Sequence, residues 1–112
     1  MTKDGLKALR AARNQAQYLK KLRQTAKKDS DAGGGGLHSA RIRREGKRME
    51  LLEKAAVEEM DGLTPEVYAF CMAYYVGGLT LLEAAEMIDR SERQCNRYKA
   101  LVERGEEQIT EQ

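Results

Sequence analysis

Arg93, Asn96, Arg97, Ala100 and Arg104 fall at offsets of three, four, seven and eleven residues, which is one stripe of a helix. Side chains of these types suit the reading of a DNA duplex. An arginine fork reaches two acceptors on guanine, and Asn96 or Gln94 can do the same on adenine, each worth ~1–3 kcal/mol of discrimination. Lys99, Arg104 and the preceding Arg90 and Ser91 suit phosphates better than base edges. Cys95, Tyr98 and Val102 lie on the opposite side of the same helix, where a core would hold them. Any solvated helix can carry such a stripe, so its meaning depends on the elements that position it.

No other set of residues promises chemistry of its own. His38 is the one histidine and has no ligand-spaced partner, so no metal site is expected. Cys71 and Cys95 each sit in an apolar helical pattern and read as buried, reduced thiols. The four-glycine run at 33–36 continues into Leu37-His38 rather than Lys-Ser/Thr, so it is not a phosphate loop. Glu58-Glu59 and Glu106-Glu107 are sequence neighbours and point in different directions. Tyr74-Tyr75 reads as one core and one rim residue, and few aromatics interleave with the cations, which argues against a single-stranded RNA surface. The expectation is a protein without enzymatic activity or cofactor.

Charge is distributed unevenly. The net charge is +2, yet residues 1–50 hold 14 Lys/Arg against 5 Asp/Glu, and residues 51–112 hold 6 against 13. These balances of +9 and −7 suggest that one half faces a polyanion, or that the halves attract each other. Five of the six cations in the acidic half lie between Arg90 and Arg104, which reverses the sign locally. Charged residues make up 34% of the chain, which favours a small core wrapped in solvated helices. No apolar run approaches the ~18–20 residues of a membrane span, and the N-terminus lacks a signal-peptide core, so a soluble, cytoplasmic protein is expected.

The predicted architecture is all-α: a long N-terminal helical pair, or hairpin, followed by a C-terminal three-helix unit. Leu9, Ala12, Ala16, Leu19 and Ala26 predict a helix over residues 4 to about 28, with Leu6 and Leu22 flanking the stripe. Asp29-Ser30-Asp31-Ala32 and the glycines predict a flexible connection over 29–36. A second helix is expected from Leu37 to Met60, with Ile42, Met49, Leu52 and Ala56 inward. Arg41, Arg43, Arg44, Lys47 and Arg48 form a strip on it that could contact phosphates. These narrow, alanine-rich stripes need cover from the C-terminal unit or from a second subunit, so a homodimer is one expected arrangement. The division expected is a basic helical pair at 1–62 and a second domain at 63–112.

The second domain has legible punctuation. Thr64-Pro65-Glu66 opens a helix that Gly77-Gly78 closes. Thr80-Leu81-Leu82-Glu83 is a capping box, Asp89-Arg90 a turn, and Ser91-Glu92-Arg93-Gln94 a second capping-box pattern. Two capped helices about three residues apart are the pattern of a helix-turn-helix. Its expected core is Val67, Phe70, Cys71, Tyr74, Leu79, Leu82, Ala85, Ile88, Cys95, Tyr98 and Val102.

Leu63-Thr64-Pro65-Glu66, Tyr74-Tyr75-Val76-Gly77-Gly78-Leu79-Thr80, Glu83-Ala84-Ala85-Glu86-Met87-Ile88 and Arg90-Ser91 together resemble region 4 of sigma-70-type factors. The resemblance covers residues 63–105 and implies binding of double-stranded promoter DNA. Asp89 stands where that pattern usually has glycine, and Arg90 where it has an aliphatic residue. With the N-terminal helical pair and Arg97-Tyr98-Lys99, the chain also resembles small phage regulators of the RinA/ArpU type. That likeness implies transcriptional regulation in a bacterial host. Two other readings share the sequence features: a module that binds RNA polymerase or another regulator without strong DNA affinity, and a DNA-packaging subunit resembling small terminases.

Overall fold

A computed structural model describes residues 2–31 and 36–104, without the side chains of 29–31 and 36–38. Residues 32–35 of the connection expected at 29–36, the side chain of His38 and the Glu106-Glu107 pair therefore lie outside the described residues. The fold is all-α. Its elements are α1 (Lys3–Asp31), α2 (Gly36–Glu59), α3 (Pro65–Cys71) continuing into a π-helical turn (Met72–Val76), α4 (Leu81–Ile88) and α5 (Glu92–Glu103). No helix is long and apolar enough to cross a membrane, and no strand occurs among the described residues.

Helices α1 and α2 pair lengthwise, and the C-terminal unit sits against one end of the pair. The principal extents are 54 × 27 × 18 Å and the radius of gyration is 15.8 Å. A compact chain of this length would come to about 13 Å, so the hairpin projects. The break between α1 and α2 is narrower than expected, because α1 runs through Asp29 and Ser30 to Asp31 and α2 restarts at Gly36. Serine and aspartate each cost a helix only ~0.5 kcal/mol relative to alanine, which an established helix absorbs.

One apolar cluster spans the expected boundary at residue 62. Leu6, Leu9 and Ala12 of α1 and Ala56 and Met60 of α2 are buried together with Val67, Phe70, Cys71, Ala84, Ala85, Cys95, Tyr98 and Val102. The C-terminal unit thus supplies cover for one end of the hairpin. Two ties reinforce the joints. The buried Gln15 amide donates from α1 to the Glu45 carbonyl oxygen at 3.0 Å and to its carboxylate at 3.3 Å, both on α2. The Arg13 guanidinium donates to the carbonyl oxygens of Tyr74 and Leu79, the latter at 2.7 Å, and stacks 3.7 Å from the Tyr74 ring centre. Arg13 thereby fastens α1 to the corner that leads into α4.

The end of α3 explains the largest difference from the expected core. Between Met72 and Val76 the helix widens to a π turn, and the Gly77 amide reaches back five residues to the Met72 carbonyl at 2.8 Å. One extra residue in a turn advances the inward face by one position. Tyr75, 1% exposed, therefore takes the buried place expected for Tyr74, and Tyr74 becomes the half-buried partner of Arg13. The Tyr75 hydroxyl donates to the Glu103 carboxylate at 3.0 Å. Gly78 then takes φ +68°, and a Cβ there would stand 2.9 Å from the Ala16 Cβ, so both backbone and space require glycine.

Two other expectations are corrected. Leu82 is 54% exposed rather than in the core, because Ala84 and Ala85 form the inward side of α4. Thr64 stands at the N-cap of α3 with Pro65 in the first turn, but its hydroxyl makes no capping bond.

Candidate nucleic-acid interface

The turn between α4 and α5 is built by three local devices. Thr80 and Glu83 form the full capping box: the Glu83 amide donates to the Thr80 hydroxyl at 3.1 Å, and the Thr80 amide to the Glu83 carboxylate at 2.9 Å. That carboxylate loses hydrogen bonds if protonated, which holds its pKa below the usual glutamate value. At the other end of α4, Asp89 adopts the left-handed conformation, φ 55° and ψ 52°. The Arg90 amide donates to the Ala85 carbonyl at 3.0 Å and the Asp89 amide to that of Glu86 at 3.4 Å, the Schellman pattern of a helix stop. Aspartate enters this region more readily than most residues, so it serves here in glycine's usual place. The Ser91 hydroxyl then accepts from the Gln94 amide at 3.0 Å and starts α5. Its capping box is only half formed, because the Gln94 side chain donates to the Tyr98 hydroxyl at 3.2 Å instead of reaching back.

Helix α5 is held by one face. Cys95 and Val102 are fully buried and Tyr98 nearly so, with Phe70 6.0 Å from Tyr98 between ring centres. Burial pushes the Cys71 thiol up to about 12 and raises that of Cys95 as well, so both stay protonated and inert in the core. The opposite face presents Arg93, Asn96, Arg97, Ala100 and Arg104, all exposed. None of the three arginines has an acid within ion-pair distance among the described residues. Ser91, Arg93, Gln94, Asn96, Arg97 and Ala100 border a shallow hollow of about 380 Å³ at the start of the helix.

The remaining residues singled out from sequence lie to either side. Arg90 is exposed and donates to the Asp89 carbonyl at 3.0 Å. Lys99 is turned from the stripe toward the protein, 3.7 Å from Glu103 and 6.0 Å from the Tyr74 ring centre. Glu103 gathers Tyr75, Lys99 and, at 3.9 Å, Arg10 of α1. The α2 strip of Arg41, Arg43, Arg44, Lys47 and Arg48 is exposed throughout and also without an ion-pair partner among the described residues.

Arg13 and Glu103 escaped sequence reading because Tyr74 and Leu79, which Arg13 joins, and Tyr75 and Arg10, which Glu103 joins, are more than twenty residues away. The signal for Arg13 was weak: its neighbour one turn on is Gln17 and the stripe residue beside it is Ala12, so nothing local distinguishes it from Arg10. Among the described residues no group of three metal-binding side chains comes together. The chain matches no protein-family model, no curated protein and no solved structure.

Proposed function

We propose that this protein binds double-stranded DNA in a sequence-specific manner, using α4 and α5 as a helix-turn-helix with α5 in the major groove. The observation that carries this reading is the pairing of faces on α5. Its apolar side is locked into the core while three unpaired arginines and an asparagine stand outward directly after a stereochemically specified turn. Left without acids, those arginines would be an unusual surplus in a segment that is otherwise acidic. Arg93, Asn96 and Arg97 serve base edges, with Gln94 steering Tyr98 and available to the groove at the same end. Arg90, Ser91 and Arg104 serve phosphates, and Arg41, Arg44 and Arg48 of the α2 strip add backbone contacts where DNA passes α2. Lys99, turned toward Glu103, stands outside the contact. The resemblance to sigma region 4 and to small phage regulators supports a role in transcription, with RNA polymerase as a further partner.

The test is a mobility-shift titration on a duplex selected from a random pool, comparing the wild type with Arg93→Ala/Arg97→Ala. Two lost bidentate contacts weaken specific binding by about 30-fold or more, with unchanged helicity. Equal binding by both proteins removes α5 as the reading helix. A chain that selects no duplex at all but retains RNA polymerase in a pull-down would instead be a protein-interaction module.

A further inference from the structure

Two surfaces away from the arginine face of α5 are uncovered and match each other. The first is a groove of about 970 Å³ where α1 and α2 meet the corner after the π turn. Its floor is apolar, from Ala16, Leu19, Ile42, Met49, Val76 and Leu79. Its rims carry Lys20, Arg23, Lys27, Arg43 and Lys47 against Glu50 and Glu53. None of the five cations has an ion-pair partner among the described residues.

The second surface is the outer side of α4. Leu82 is 54% and Met87 68% exposed, and Glu83 and Glu86 are exposed beside them. Positions 82, 83, 86 and 87 lie one turn apart on one side of the helix. This face is therefore apolar and acidic, where the groove is apolar and basic.

We propose that the groove receives α4 of a second copy of this chain, and that the exchange is reciprocal. A chain cannot fill its own groove in this way. The inward side of its α4, Ala84 and Ala85, is buried in the shared core, and Thr80 caps the helix one residue after the groove-lining Leu79. That same adjacency makes the groove and the α4 face one continuous patch, the condition for a two-fold contact in which each copy offers both surfaces. The lengths agree: the eight residues of α4 span about 12 Å, and the groove wall from Ala16 to Lys27 about 17 Å. A phosphate backbone would satisfy the cations but leave the half-covered Ile42 and Met49 facing water, so a helix of the α4 type is the better occupant. The contact is small and charge-assisted. The dimer is therefore expected to be weak and to weaken further as salt screens the rims.

Sedimentation equilibrium of the full chain without DNA tests this independently of the DNA-binding reading. The wild type is expected to pass from monomer to dimer with concentration. Met87→Ser, at an exposed position, shifts that transition at least about tenfold to higher concentration with an unchanged melting temperature. The face variant L82K/E86K and the groove variant R23E/K47E are each monomeric alone. Mixed, they form a heterodimer, because one of its two contacts is native and the other has both charges reversed. A wild type that stays monomeric overturns the proposal, as does a mixture that stays monomeric or a dimer indifferent to Met87→Ser. A groove variant that loses only DNA affinity would assign the groove to phosphates instead.

Discussion

The two ends of the α1–α2 hairpin are made from the same helices and treated oppositely. At the end that meets the C-terminal unit, Leu6, Leu9, Ala12, Ala56 and Met60 are sealed against Phe70, Cys71 and Tyr75, the half-buried Arg13 is bonded to two carbonyl oxygens, and Arg10 lies 3.9 Å from Glu103. Toward the projecting end, Leu19 and Leu22 are buried but stand outside that cluster, Ile42 and Met49 are half covered, and the cations are unpaired. The lesson is that positive charge accumulates where the core runs out. A cation over the core must be satisfied by named partners, whereas one beyond it is free to meet another molecule.

The sealed end should dominate every measure of stability. The largest effect is expected at alkaline pH. The Cys71 thiol ionises near 9 when unfolded but only at about 12 in the core. Its contribution is therefore complete below pH 9 and is lost as pH rises toward 12, by up to ~4 kcal/mol. Tyr75 acts in the same direction, since burial and the neighbouring Glu103 raise its pKa. Thermal melts across this range should show a steep alkaline decline that Cys71→Ala makes shallower. An equal slope in both proteins would mean that the thiol is not sealed. Next comes Arg13→Ala, which strands the carbonyl oxygens of Tyr74 and Leu79 and uncovers the Tyr74 ring. A loss of about 3 kcal/mol in urea unfolding is expected, against less than ~0.5 kcal/mol for the exposed Lys21→Ala. Comparable losses would erase the distinction between fixed and free cations.

The smallest effect has the opposite sign and belongs to the projecting end. A Cβ at Gly46 would meet nothing within 4 Å. Gly46→Ala should therefore raise stability by about 0.5–1 kcal/mol through helix propensity alone. A melting temperature that falls would show that the two helices approach more closely there than described.

The same contrast governs what could be read from sequence. Thr80, Glu83, Asp89 and Ser91 act on neighbours within three or four residues, and the helix boundaries they set were legible as a capping box, a turn and a cap. The inward and outward sides of α5 followed from its period, with Cys95, Tyr98 and Val102 buried as expected. The π turn left no such mark, and it exchanged the places of Tyr74 and Tyr75. Leu82 looked like core because leucine at that spacing usually is, yet two alanines pack inward instead. The hydrogen bonds of Arg13 to Leu79, Gln15 to Glu45 and Tyr75 to Glu103 join positions 28 to 66 apart, which no local pattern encodes.

The central claim concerns the outward arginines of α5, and the salt dependence of duplex affinity tests it most directly. If about four phosphates are neutralised while α5 occupies the groove, log affinity for the selected duplex falls against log salt with a slope near −3.6, and Arg104→Ala reduces that slope by about one. Affinity that is negligible at low salt, or that is insensitive to both salt and Arg104, would contradict the account.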